Sequence, residues 1–209
     1  MNIYIKYVVL LAIIALLAYN SVYFKKLSEV TANTASKFDA GSFTKKLWDE
    51  KLPAKMDSAV ELTTLITAIA TQPQDAFNKY TNALAIGNYR YAMVKAEGEV
   101  VELNEDDLLL QIPFADSMLK VRIATEFIYG NAIRDASGLV EVKSFPNTTD
   151  LSSISEELNK TVRTTVLVPI KKTLKKGDSI AVTGAIEINK AHINWTEPEI
   201  IPVRLQIIN

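Results

Sequence analysis

The sequence predicts an α+β protein: an N-terminal transmembrane helix, a helical subdomain, then a five-stranded antiparallel barrel with a helix between its third and fourth strands. Three observations predict it. The chain begins with a long uncharged apolar run, residues 42–85 carry apolar side chains at three- and four-residue spacing, and after Gly87 the period switches to two.

Residues 7–19 (YVVLLAIIALLAY) hold no charge, Lys6 precedes them, and Asn20 and Ser21 close the run. A bilayer span needs roughly 20 largely apolar residues and an export signal core about 7 to 15, so length alone fits either. Counting from Ile3 to Phe24, with Lys6 reaching toward the head groups, gives the length of a span. Small residues are poorly placed for cleavage around Leu16-Leu17-Ala18 or Ala18-Tyr19-Asn20, so an uncleaved signal anchor over 1–24 is expected. Residues 25–40 then read as a small, polar spacer.

From Ser42 the pattern turns helical. Leu47, Trp48, Leu52, Met56, Ala59, Val60, Leu62, Thr63, Ile66 and Ile69 recur at helical intervals, with Asp57 or Ser58 after Pro53 starting a second helix that Pro73 ends. A third helix spans 74–85, capped by Gly87. Residues 41–87 therefore form the helical subdomain, and 88–209 the barrel, with 41–209 expected to pack as one globular unit.

Segments 89–103, 108–113 and 118–129 alternate or run apolar with Val, Ile and Tyr enrichment, separated by Asn104-Glu105-Asp106-Asp107 and by residues 114–117. Asp150 or Ser152 starts a helix with Leu151, Ile154, Leu158, Val162, Val166 and Ile170 on one face, which Pro169 must kink or end. Gly177-Asp178 turns the chain into strands over 179–188 and 200–208, the last interrupted by Pro202. Three strands, a helix and two strands are the element order of an oligonucleotide/oligosaccharide-binding (OB) barrel, although a helix-covered antiparallel sheet gives the same string.

Composition removes much chemistry. The chain has no cysteine, which excludes disulfides, thiolate metal sites, a Cys nucleophile and an acylated lipoprotein cysteine. His192 is the single histidine, so no multi-His metal site exists, and a hydrolase triad must use that residue. The net charge of −1 gives no basic surplus for nucleic acid. With no P-loop, dinucleotide fingerprint or acidic calcium loop, no cofactor or metal is expected.

The densest polar constellation is Tyr129-Gly130-Asn131-Ala132-Ile133-Arg134-Asp135-Ala136-Ser137-Gly138, followed by Phe145-Pro146-Asn147. Tyr129, Asn131, Arg134, Asp135, Ser137 and Asn147 are the candidate ligand-binding residues, with Arg134 and Asp135 forking onto hydroxyls or carboxylates and Asn131 fixing orientation. The same groups can instead hold a long connection together by local hydrogen bonds and an Arg–Asp pair. Glu97 and Glu99 flank Gly98 on one strand face, which suits a solvated surface and, in principle, a glycosidase pair with Asp135. Lys171, Lys172, Lys175 and Lys176 cluster at a helix C-terminus, where the helix dipole favours cations. Three glycosylation sequons begin at Asn147, Asn159 and Asn194, a pattern too common to use alone.

Phe24-Lys25-Lys26-Leu27, Phe38-Asp39, the Trp48 to Leu52 stretch, the block from Tyr129 to Asp135 with Ser137-Gly138, Glu157-Leu158-Asn159, and Gly177-Asp178 with Gly184-Ala185 carry a resemblance over nearly the whole chain after the anchor. The chain resembles a bacterial family of predicted periplasmic lipoproteins and membrane-anchored proteins of unknown function (domain of unknown function family 2291), often encoded beside ribose-type sugar ABC transporters. Many members look like lipoproteins, whereas this chain lacks the cysteine. The resemblance implies an inner-membrane, single-pass protein with its domain in the periplasm. Charge settles little here, since Lys25 and Lys26 stand against Lys6 and the amino terminus. A non-enzymatic binding or accessory module is expected, touching a sugar or a sugar transporter component through 129–147 and linked to sugar ABC transport. A small carbohydrate hydrolase and a structural envelope protein are the alternatives.

Overall fold

In the computed structural model, residues 3–21, 38–83, 87–145 and 147–208 are described, and the chain divides into two units, Met1–Phe38 and Asp39–Asn209. The first unit contains helix α1 (Ile3–Ser21), nineteen residues long and apolar on all sides. No helix among the described residues is long and apolar enough to cross a membrane, which corrects the expected transmembrane helix, and with it the signal anchor and single-pass attachment. The physical reason is reach. Lys6 sits one turn into the helix, and the uncharged run from 7 to 19 rises about 20 Å, well short of a hydrocarbon core of about 30 Å. The expected spacer over 25–40 lies, except for its last three residues, outside the described residues.

In the second unit α2 (Ala40–Lys46) starts where the Asp39 carboxylate accepts from the Ser42 backbone N–H at 3.0 Å and from its hydroxyl at 2.6 Å. The helix runs through a π turn, Leu47–Lys51, into α3 (Leu52–Asp57), burying Leu47, Leu52 and Met56. Pro53 accounts for the wide turn: its missing N–H and its ring would disrupt the α pattern four residues back, and one extra residue per turn absorbs the misfit. A two-residue strand, β1 (Val60–Glu61), then precedes α4 (Leu62–Thr71) and α5 (Pro73–Tyr80). Leu62, Leu65, Ile66 and Ile69 give α4 its buried stripe. The third helix ends at Tyr80, earlier than expected, because Thr81 is extended and Asn82 bridges Tyr91.

The sheet uses β2 (Tyr89–Leu103), β3 (Asp107–Phe114), β4 (Ser117–Ala124), β5 (Ser179–Asn189) and β6 (Glu199–Ile207) together with β1, in the order β1-β2-β3-β4-β6-β5, with β2 also pairing β5. The α+β class stands, but the expected five-stranded antiparallel barrel is corrected to a six-stranded mixed sheet. β1 lies parallel to β2, Val60 opposite Val94, and β4 lies parallel to β6, Arg122 opposite Glu199. Alternation of side chains could not reveal either, since period two reports which face a residue takes and says nothing of its partner's direction.

Between β4 and β5 come α6 (Ala132–Ser137), a single 3₁₀ turn (Val142–Ser144), α7 (Thr148–Thr161), a second π turn (Val162–Leu167) and α8 (Val168–Lys171). At Pro169, as at Pro53, a π turn precedes the proline, and the helix then runs only to Lys171. Threonine hydroxyls bond back to carbonyls of the preceding turn, Thr164 donating to Lys160 O at 2.9 Å and Thr165 to Thr161 O at 2.7 Å. Val100, Leu110, Val121, Ile123, Ile180, Val182 and Ile200 are buried on the sheet, and Ile154, Leu158 and Val162 are buried on the helical side.

Two glycines permit close backbone approach. A Cβ on Gly98 would lie 2.3 Å from the Gln111 carbonyl oxygen, and one on Gly184 would lie 2.2 Å from that of Ile201. Gly184 sits where the β5–β6 register shifts and faces Pro202, so the proline, which has no N–H for the ladder, stands at the irregularity and β6 runs on through it.

Candidate functional site

β4 ends where the backbone N–H groups of Thr125 and Glu126 both turn onto the Asp106 carbonyl, at 2.9 and 3.1 Å. The chain then leaves the sheet through an exposed aromatic pair. Phe127 and Tyr129 are 60% and 67% exposed and stack with ring centroids 6.3 Å apart. Gly130, at φ 75°, supplies the left-handed turn into α6, and Gly138, at φ 62°, ends that helix in the same region.

The stretch expected to be a loop is thus a short helix built around one buried charge. The Asp135 side chain is 2% exposed and accepts from Arg134 Nε at 2.7 Å and from the Asn131 amide. Arg134, 11% exposed, spends a second donor on the Leu151 carbonyl at 3.0 Å, which ties α6 to α7. Asn159 of α7 adds a second tie, its amide donating to the Gly130 carbonyl at 2.9 Å. On the sheet side stands Tyr91. Burial pushes its hydroxyl pKa up, the Glu187 and Asp135 carboxylates add to the rise, and a hydrogen bond with Asn131 works against it.

An open groove of about 750 Å³ lies between the 128–134 segment and α7. Of the six candidate residues, Tyr129, Asn131 and Arg134 line it. Asp135 stands behind them as the buried partner of Arg134 and Asn131. Ser137 is buried elsewhere, donating to the Arg134 carbonyl at 2.6 Å and lining a smaller cavity of about 220 Å³ beside Asn82. Asn147 caps α7, its side-chain oxygen accepting from Asp150 N–H at 2.8 Å. Asn147→Ala is expected to cost about 1 kcal/mol, the usual loss at such a cap, read as a lowered midpoint in urea unfolding; an unchanged midpoint would show the cap carries nothing.

Sequence reading missed the opposite wall. Ser152, Ser155, Glu156, Asn159, Lys160 and Arg163 all face the groove from α7 and its π turn. Their spacing of three and four was present as a polar stripe, beside the apolar stripe of Leu151, Ile154, Leu158 and Val162. Arg163 bonds the Ile128 carbonyl, and its guanidinium lies 5.7 Å from the Tyr129 ring centroid. Lys160 pairs with Glu157 at 3.2 Å.

The other polar features lie apart from this groove. Glu97 and Glu99 are exposed on β2. Tyr91, beside Asp135, is six residues from Glu97 along the strand, a distance of about 20 Å. His192 is exposed. Lys171 pairs with Glu126 at 2.5 Å. Among the described residues no group of three or more His, Cys, Asp or Glu is arranged to hold a metal ion.

A family profile described as predicted periplasmic lipoprotein (DUF2291) matches residues 12–206. Among solved structures, an OB-fold protein from Thermotoga maritima MSB8 is 24% identical over 83% of this chain and 100% of its own, with a TM-score of 0.71, a likeness of fold alone. The OBody AM1L10 bound to hen egg-white lysozyme is 16% identical over 64% of this chain and 88% of its own, and its TM-score of 0.26 carries no argument. No curated protein matches.

Proposed function

This chain belongs to the family of predicted periplasmic lipoproteins, and from that premise we propose that it is a non-enzymatic binding module of the bacterial envelope, an accessory to sugar uptake that takes a small polyhydroxylated ligand in the groove beside α7. The groove carries this reading. It joins an exposed aromatic face, Tyr129, to amides, carboxylates and fixed guanidinium groups, the combination that holds the apolar faces and hydroxyls of a sugar. The uptake link rests on the family resemblance. Delivery to the periplasm is supported by the apolar run over 7–19, which has the length of an export signal core. The family description implies an acyl group, and this chain offers no cysteine to bear one.

The hydrolase alternative gains no support. Glycosidase carboxylates stand roughly 5 to 9.5 Å apart across the scissile bond, whereas Asp135 is locked behind the groove and Glu97 is about 20 Å along β2 from its neighbour Tyr91.

A panel of neutral pentoses and hexoses tests the proposal by thermal unfolding. A true ligand at 100 times its Kd stabilises by about 2.7 kcal/mol, which raises Tm by roughly 5 to 10 °C for a chain of this size. No shift with any sugar, neutral or acidic, together with a detergent-extract pull-down that recovers no transport component, would overturn it.

A further inference from the structure

Three cations line the groove, and only one of them has no carboxylate. Arg134 is matched by Asp135 at 2.7 Å and Lys160 by Glu157 at 3.2 Å. Arg163 has no ion pair among the described residues. It is nonetheless held in place: one N–H is spent on the Ile128 carbonyl, the guanidinium lies over the Tyr129 ring, and the residue is half-buried where the π turn begins. A fixed, partly desolvated guanidinium with donors to spare is a receptor for a planar anion, which it grips by two parallel N–H bonds.

The other end of the groove has the opposite character. Glu156 is exposed two helical turns before Arg163, about 10 Å along the axis, and Asn131 lines the groove on its other wall. Carboxylate and amide oxygens there accept hydrogen bonds, which suits donating hydroxyls and repels a second anion. The ligand implied has a carboxylate at one end and hydroxyls along the rest.

Resting on the reading of this groove as a sugar site, we propose that its ligand class is the sugar acids, aldonates and uronates, with the carboxylate bound bidentately by Arg163, the carbon chain or ring against Tyr129, and the hydroxyls donating to Glu156.

The test is titration calorimetry on the full chain with D-gluconate and D-glucuronate against their uncharged counterparts D-glucitol and D-glucose. The acids bind at least tenfold tighter than the neutral compounds, and the advantage shrinks with added salt. Arg163→Gln abolishes the advantage, Arg163→Lys restores only part of it because a point charge lacks the fork, and Lys171→Gln, apart from the groove, leaves it in place. Circular dichroism confirms that each variant folds; if Arg163→Gln does not, the wild-type preference for acid over neutral decides the matter. Glucose or glucitol binding as tightly as the acids overturns the sugar-acid assignment and leaves the sugar-binding reading standing. No binding by any of the four overturns this assignment, and with the silent neutral panel it removes the sugar site as well.

Discussion

Asp135→Ala is expected to lower the unfolding free energy by about 3 to 5 kcal/mol, the range found when one member of a buried ion pair is removed. The reason lies in what is left behind. Arg134 is 11% exposed, so its charge loses its counter-ion without gaining water, and the Asn131 amide loses its acceptor in the same step. For a chain of this length that corresponds to a fall in Tm of roughly 10 °C. Replacing both partners by apolar residues, Arg134→Met with Asp135→Leu, should recover much of the loss, because the penalty comes from the orphaned charge. A single variant that loses less than about 1 kcal/mol would mean that water reaches Arg134 freely, and the groove wall would then be far softer than its geometry implies.

Gly184→Ala is the second large effect, expected at about 3 kcal/mol, the upper end for overpacking. Replacing glycine by alanine at a compatible site stabilises by about 0.4 to 1 kcal/mol through the unfolded chain, so here the sign itself is diagnostic. The new methyl would sit 2.2 Å from the Ile201 carbonyl oxygen and 2.6 Å from the Ile200 side chain, and the backbone oxygen cannot retreat without opening the β5–β6 ladder. Gly87→Ala, with nothing within 4 Å of its Cβ, is the control and should be neutral or slightly stabilising. Urea unfolding of both proteins checks the pair. Equal midpoints would show that β5 and β6 separate at this point at no cost.

Strand positions were legible because alternation of apolar and polar side chains is a local signal. β2 occupies its expected span, and β3, β5 and β6 fall within a residue of theirs. β4 stops at Ala124, five residues early, since the apolar residues Phe127 and Tyr129 that extended the pattern point to solvent beyond the turn onto Asp106. β1 was unreadable. Two residues inside a helical pattern carry no period of their own, and Val60 is a strand only because Val94 is beside it. The transmembrane expectation failed by counting Lys6 and the flanking residues into the span, when the uncharged run alone is too short.

The polar block at 129–138 was visible by composition, and Tyr129, Gly130, Asn131 and Arg134 of it line the groove. Its arrangement was not visible. Asp135 and Ser137 turn inward, and α6, six residues long, is too short to show that in its sequence period. The α7 wall was legible in principle: its polar residues recur every three or four positions, but a polar stripe marks any solvated helix face and does not by itself distinguish a groove wall.

The pairing of β2 with β5 joins residues roughly 80 to 100 positions apart, and no other partner covers the first half of β2 as fully. Contacts of that separation form late, after a large loop-closure cost has been met. Until residue 189 has left the ribosome, the longest strand has no complete mate, so the sheet is completed only when nearly the whole chain has been made.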